Sequence, residues 1–219
     1  MRQSVKEFVQ IAAAAVPMPE PIYEFGSLQV PGQEGFADLR PLFPGRTFVG
    51  SDVREGPGVD RLLDLHRLDL PDGSVGTALL LDTLEHVEYF WLAMAEVYRV
   101  LCPGGVVVIS SVMDFPIHDY PHDYWRFTPD GFKSLLQRFP TVFAGYAGPD
   151  ESPHTVVGIG VKSPDATLEP LAAPYADWQR RWYWPWRPRW RNWLPLIAPS
   201  GLILLYHRLA RPRRPGVGR

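Results

Sequence analysis

Two short apolar runs, each closing on an acid, constrain this chain more than any other feature. Ile22-Tyr23-Glu24-Phe25-Gly26-Ser27 reads as a strand that ends in an acid and a glycine, and Thr47 to Val53 reads as a second strand ending in Gly50-Ser51-Asp52. In a parallel α/β sheet the carboxyl ends of neighbouring strands open onto one crevice, where nucleotide-like ligands sit. A glycine after the first strand lets the backbone come close to such a ligand, because no Cβ stands in the way. An aspartate after the second can accept both hydroxyls of a ribose. The pair predicts a crevice for an adenosine-containing molecule.

The missing glycines narrow that molecule. The dinucleotide fingerprint G-x-G-x-x-G rests a pyrophosphate on a helix N-terminus. Counted from Gly26 it calls for glycine at the positions of Leu28 and Pro31, and it fails at both. No G-K-[ST] follows a strand, so the P-loop pattern fails too. A phosphate-poor adenosine ligand fits better, and S-adenosylmethionine (SAM) is the common one.

Four segments carry a family resemblance. E-F-G-S (24–27), with Asp52 after the second strand, is similar to the first motif of the class I SAM-dependent methyltransferases, of the small-molecule "type 11" kind. D-L-H-R-L-D-L-P-D-G-S (64–74) resembles that family's adenine-side loop. L-D-T-L-E-H-V (81–87) and Y-R-V-L-C-P-G-G (98–105) resemble the end of its fourth strand and the helix and turn before its fifth. P-I-H-D-Y-P-H-D-Y-W-R-F-T-P-D-G-F (116–132) is similar to a substrate-side segment in part of the family. The order and spacing over 22–138 make the set specific. The family usually has E-x-G-x-G, whereas Leu28 holds the second glycine position here, with Val30-Pro31-Gly32 as a longer loop. The resemblance implies a Rossmann-like three-layer sandwich with a mostly parallel seven-stranded sheet and an antiparallel last strand. It also implies SAM as cofactor, contacted by Glu24, Gly26, Ser27, Asp52, Asp64, Leu65 and Asp82.

Periodicity fills in the rest. Val5, Phe8, Val9, Ala12 and Val16 stand at helical spacing over 3–16. Phe36, Leu39 and Phe43 mark a short helix ending near Pro44-Gly45. Arg61–Leu65 reads as an edge strand and Val75–Leu84 as a buried one. A helix from about Tyr89 to Leu101 should stop at Pro103-Gly104-Gly105, before the β-prone run Val106–Val112. Thr128-Pro129 is an N-cap followed by proline at the first helical position, opening a helix to about Arg138. Thr141–Tyr146 and Thr155–Lys162 are the final strands.

The densest chemistry lies at 118–126, with two histidines, two acids, three aromatics and an arginine in nine residues. One reading is a substrate lid whose general base is His118 or His122, since imidazole titrates near neutrality; His86, after the fourth strand, could also face the substrate. A second reading is a metal pair of His118 and His122. That spacing works on a helix, and Pro121 argues against one, so no metal is expected. A third is a structural cap in which Asp123 pairs with Arg126 while Tyr124 and Trp125 cover the core. Methyl transfer from a sulfonium needs mainly in-line placement and deprotonation of the acceptor, so no fixed triad is expected and none is present.

Charge sets the tail apart. The net charge of −2 divides into −12 over 1–177 and +10 over 178–219, where ten arginines and six of the eight tryptophans fall. The expected division is a methyltransferase domain at 1–165 and a Trp/Arg-rich extension at 166–219. The extension either packs across the acidic domain or anchors peripherally, through 178–214, to an anionic membrane surface. Nucleic acid fits poorly, because the acidic domain repels it. One cysteine gives no intrachain disulfide, Glu7 and Gln10 interrupt any signal-peptide core, and no run nears the ~20 apolar residues of a membrane span. The expectation is a cytoplasmic enzyme, with contact at the inner membrane face as its variant. Its acceptor is a small or lipid- or glycan-linked molecule methylated on oxygen or nitrogen. Two rivals stay open: a catalytically silent scaffold with the same fold, motivated by Leu28, and a nicotinamide-dependent reductase, disfavoured by the absent glycines.

Overall fold

The apolar runs become seven strands of one sheet: β1 (Ile22–Phe25), β2 (Phe48–Asp52), β3 (Arg61–Leu62), β4 (Val75–Leu81), β5 (Leu101–Ser111), β6 (Thr141–Ala147) and β7 (Thr155–Val161). The computed structural model describes residues 1–30, 32, 35–118 and 122–183. Strand order is β3-β2-β1-β4-β5-β7-β6. β1 to β5 are parallel neighbours, and β7 runs antiparallel to both β5 and β6. The expected mostly parallel, seven-stranded sheet with an antiparallel last strand is therefore present.

Alternation along the central strands builds two cores. Tyr23, Phe25, Ala78, Leu80, Val107 and Ile109 face one layer, formed by α2 (Phe90–Val100) and α3 (Pro129–Leu135). Ile22, Leu79, Leu81, Val106 and Val108 face the other, formed by α1 (Gln3–Ala15) and α4 (Ala172–Arg181). All seven residues of β4 and of β7 are buried, as a strand covered on both faces requires. Thr128 caps α3 as its sequence predicts, its side chain accepting from the Gly131 amide at 3.0 Å.

Two expectations change. Pro103-Gly104-Gly105 does not end α2. The helix ends at Val100 and β5 begins at Leu101, so the tripeptide is an irregularity inside β5, between the pairings Val75↔Leu101 and Thr77↔Val106. The strand pairing captures residues that local turn chemistry assigns to a helix end. The helix expected around Phe36–Phe43 is only a 3-10 turn, Arg40–Leu42, with prolines at 41 and 44 confining it.

α4 docks on α1 at the other end of the chain. Trp178 is 2% exposed, lies 5.3 Å from the Phe8 ring, and donates its indole N–H to the Ser4 carbonyl at 2.8 Å. Trp182 donates to Glu7 at 2.9 Å, and Arg181 pairs with the same carboxylate at 3.1 Å. Residues 184–219, which hold the rest of the Arg/Trp segment, lie outside the described residues. No helix among the described residues is long and apolar enough to cross a membrane.

Candidate active site

The chain leaves β1 toward β2 and β3 on one side and resumes with β4 on the other, so the strand order reverses between β1 and β4. A crevice opens outside the carboxyl ends of strands at such a switch point. Here it is a cavity of about 450 Å³ bounded by the tips of β1, β2 and β4 and by the loops after β3 and β5. That is within the range of small-molecule sites, about 300–1,000 Å³.

All seven predicted cofactor residues line this cavity, but the carboxylate of one of them is taken up by an internal partner. The Glu24 side chain lines the cavity at 5% residue exposure, and burial pushes its carboxyl up to about 8, against the pull of Arg40. Gly26 has φ +84° and donates its amide to Ser51 at 2.7 Å. A Cβ there would lie 2.5 Å from Thr83 Oγ1, so the glycine makes room for the tip of β4 where it lines the cavity. Ser27 is tied to Gly58 through its hydroxyl at 2.9 Å. Asp52 accepts from the Arg54 amide at 3.1 Å and stands 3.6 Å from its guanidinium. Asp64 folds back on His66, accepting from both its amide at 2.9 Å and its ring Nδ1 at 2.8 Å, while Leu65 supplies an apolar, 7% exposed wall.

Asp82 is the diverted residue. It adopts φ +51° and forms a two-pronged pair with Arg2, at 3.1 Å from Nε and 2.7 Å from Nη2. Arg2 also donates to the His154 carbonyl at 2.7 Å and to the Thr155 hydroxyl at 2.6 Å. Burial alone would raise the Asp82 carboxyl; the Arg2 charge and hydrogen bonds overcome that and hold it below the usual carboxylate range. Nothing in the sequence marks Arg2, which arrives from 80 positions upstream.

The far end of the crevice is a histidine cluster. His86, on the 3-10 turn Leu84–His86, donates its Nδ1–H to the His122 carbonyl and lies with its ring 4.8 Å from that of His118. His118 has Nδ1 3.1 Å from Asp123, whose carboxylate also accepts from the His118 amide at 2.9 Å and from Arg126 at 2.7 Å. The Arg126 hydrogen bonds hold Asp123 down at about 2. Trp125 packs 5.2 Å from Phe90 and donates to the Val87 and Glu88 carbonyls. Asp123, Trp125 and Arg126 thus form the cap that the sequence allows, and His118 is delivered to the cavity on top of it. His122 is exposed beside Tyr124; only its carbonyl serves the site. Asp119, Tyr120 and Pro121 lie outside the described residues.

Comparison with known proteins finds likeness to methyltransferases. Residues 51–109 match the family model described as a methyltransferase domain. A SAM-dependent methyltransferase from Archaeoglobus fulgidus superposes with a TM-score of 0.57 at 14% identity, over 74% of this chain and 95% of that one. Another from Thermotoga maritima gives 0.54 at 18% identity, over 73% and 89%. The 1,6-didemethyltoxoflavin-N1-methyltransferase of Burkholderia thailandensis, solved with bound 1,6-didemethyltoxoflavin and S-adenosylhomocysteine, gives 0.54 at 18%, over 74% and 79%. No curated protein sequence matches. The fold is that of the class I SAM-dependent methyltransferases.

Within the site, one further buried acid escaped the sequence reading. Glu85 is fully buried, and its Oε2 accepts from the Ser111 hydroxyl at 2.8 Å. Burial, then the neighbouring Asp82 charge, raises its carboxyl well above the ordinary range. The sequence signal was its place directly before His86, but burial of an acid on a strand-to-helix turn is a tertiary fact that spacing does not carry.

Proposed function

We infer that this chain binds SAM in the crevice and transfers its methyl group to an oxygen or nitrogen of a small-molecule or lipid- or glycan-linked acceptor. The observation that carries this reading is the pair of carboxylates on neighbouring strand tips, Glu24 and Asp52, facing one cavity at the switch point. Asp52 is placed to accept ribose hydroxyls. Glu24, buried without enough positive charge to hold it ionised, suits a cationic group, and SAM carries an ammonium and a sulfonium. Leu65 offers an apolar surface for an adenine ring. The donor set fits the cofactor, which supplies a methyl group already activated on sulfur.

The acceptor belongs at the His86–His118 end. With Nδ1 of each ring engaged, Nε2 is the atom left to take a proton from the acceptor, and Asp123 orients His118 for that purpose. His122, exposed, is the weaker of the three candidate bases. The domain reading at 1–165 with an extension at 166–219 is retained, with 172–181 docked on α1. Peripheral contact with an anionic membrane at the cytoplasmic face then falls to the arginines and tryptophans after 183, because Trp178 is already engaged in the core.

Calorimetry with SAM and with S-adenosylhomocysteine tests the reading. One equivalent should bind, and Asp52→Ala should weaken it roughly 10- to 100-fold, the worth of a hydrogen bond or two to a charged group. A folded chain that gives no heat with either compound would replace this function with the scaffold alternative.

A further inference from the structure

At the acceptor end, three potential metal ligands meet. One donor atom each of Glu85, His86 and His118 lies within 4.8 Å of the other two. Glu85 is the anomaly among them. Its Oε2 takes the Ser111 hydroxyl, while Oε1 is buried and has no hydrogen-bond partner among the described residues. Leaving such an oxygen bare costs about 1–3 kcal/mol. The nearby cation does not serve it, since Arg2 is clamped on Asp82. Protonating Glu85 would leave one of its oxygens just as bare.

We propose that Glu85, His86 and His118 hold a divalent first-row transition ion such as Zn²⁺, with open positions facing the crevice. Two imidazoles and one carboxylate form a donor set that suits zinc and its neighbours; magnesium and calcium favour all-oxygen shells. Each ligand is already oriented from behind, as metal ligands are. His118 leans on Asp123, which is held by Arg126; His86 donates to a carbonyl; Glu85 accepts from Ser111. Metal–ligand distances of about 2.0–2.2 Å place donor atoms roughly 3–4 Å apart, so rotation of two half-buried rings completes the shell. The ion also gives Glu85 the positive charge it lacks.

The ion's task rests on the proposed function: an acceptor hydroxyl or amine bound at an open position would lose its proton more readily. His86 and His118 then act as ligands, and the proton leaves to solvent. Binding of the ion does not rest on that reading and is measured apart from it.

The test is titration of the untagged, full-length chain with Zn²⁺ by calorimetry and with Co²⁺ by visible absorption, without SAM. One ion per chain is expected, with a cobalt spectrum of nitrogen and oxygen ligation. Glu85→Gln and His118→Ala should each weaken binding at least about tenfold, and Asp123→Asn about 10- to 100-fold. Excess Mg²⁺ should not displace the ion. His118 sits on a half-buried loop, so its variant tests the site even if the buried Glu85 substitution perturbs folding. Absence of one-to-one binding would overturn the proposal, as would binding indifferent to Glu85→Gln and His118→Ala. SAM binding by the metal-free chain is scored separately.

Discussion

Glu24 shows how far a single side chain can be read before the fold is known. Its place at the end of an apolar run marks it as a crevice acid, and that placement holds. Its protonation depends on burial, which the sequence does not state. A carboxyl raised from about 4.5 to about 8 binds more protons folded than unfolded throughout that interval. Stability therefore falls as pH rises from about 4.5 through 8, by on the order of 4 kcal/mol for this group. Urea unfolding of the ligand-free chain at pH 5 and pH 8 should show the loss. Glu24→Gln should remove its share and leave the share due to Glu85. Gly26 is legible as a residue type at the strand end, and the fold adds a reason the sequence does not state, the close approach of Thr83.

Elements with continuous apolar runs and strong caps could be read directly. β4, β5 and β7 alternate between two cores, and α3 opens on the expected Thr128-Pro129. Boundaries governed by pairing partners could not, as the Pro-Gly-Gly irregularity in β5 illustrates. The histidine cluster was hidden for a related reason. The sequence weighed His118 with His122, four positions apart, whereas the fold sets His118 against His86, 32 positions upstream on another loop. Docking of α4 was one of two readings the sequence left open for the extension, and Arg181 facing Glu7 and Trp178 in the core decide it for this helix. Trp178→Ala should cost about 3–5 kcal/mol, the usual penalty for truncating a buried aromatic. In a domain of this size that is a fall of roughly 10 °C in Tm, readable by calorimetry.

At the scale of the molecule, the charge division outlasts the packing of α4. Arg181 and Trp182 answer Glu7 on α1, and this uses only a small part of the basic segment. Eight of its ten arginines lie after residue 183. Truncation after residue 183 should leave the unfolding midpoint near its full-length value. The same truncation should abolish sedimentation with vesicles containing anionic lipid, if the segment contacts membranes. Equal sedimentation of the two proteins would assign the arginines another role.

Arg2 binds the start of the first helix to the tips of β4, β5 and β7 at once. The wall of the crevice is thereby stitched to a residue that no local motif contains. A ligand seeking Asp82 has to compete with an internal guanidinium already in place. Whatever enters must either accept that rivet as part of its own binding surface or prise the opening turn of the chain away from the sheet.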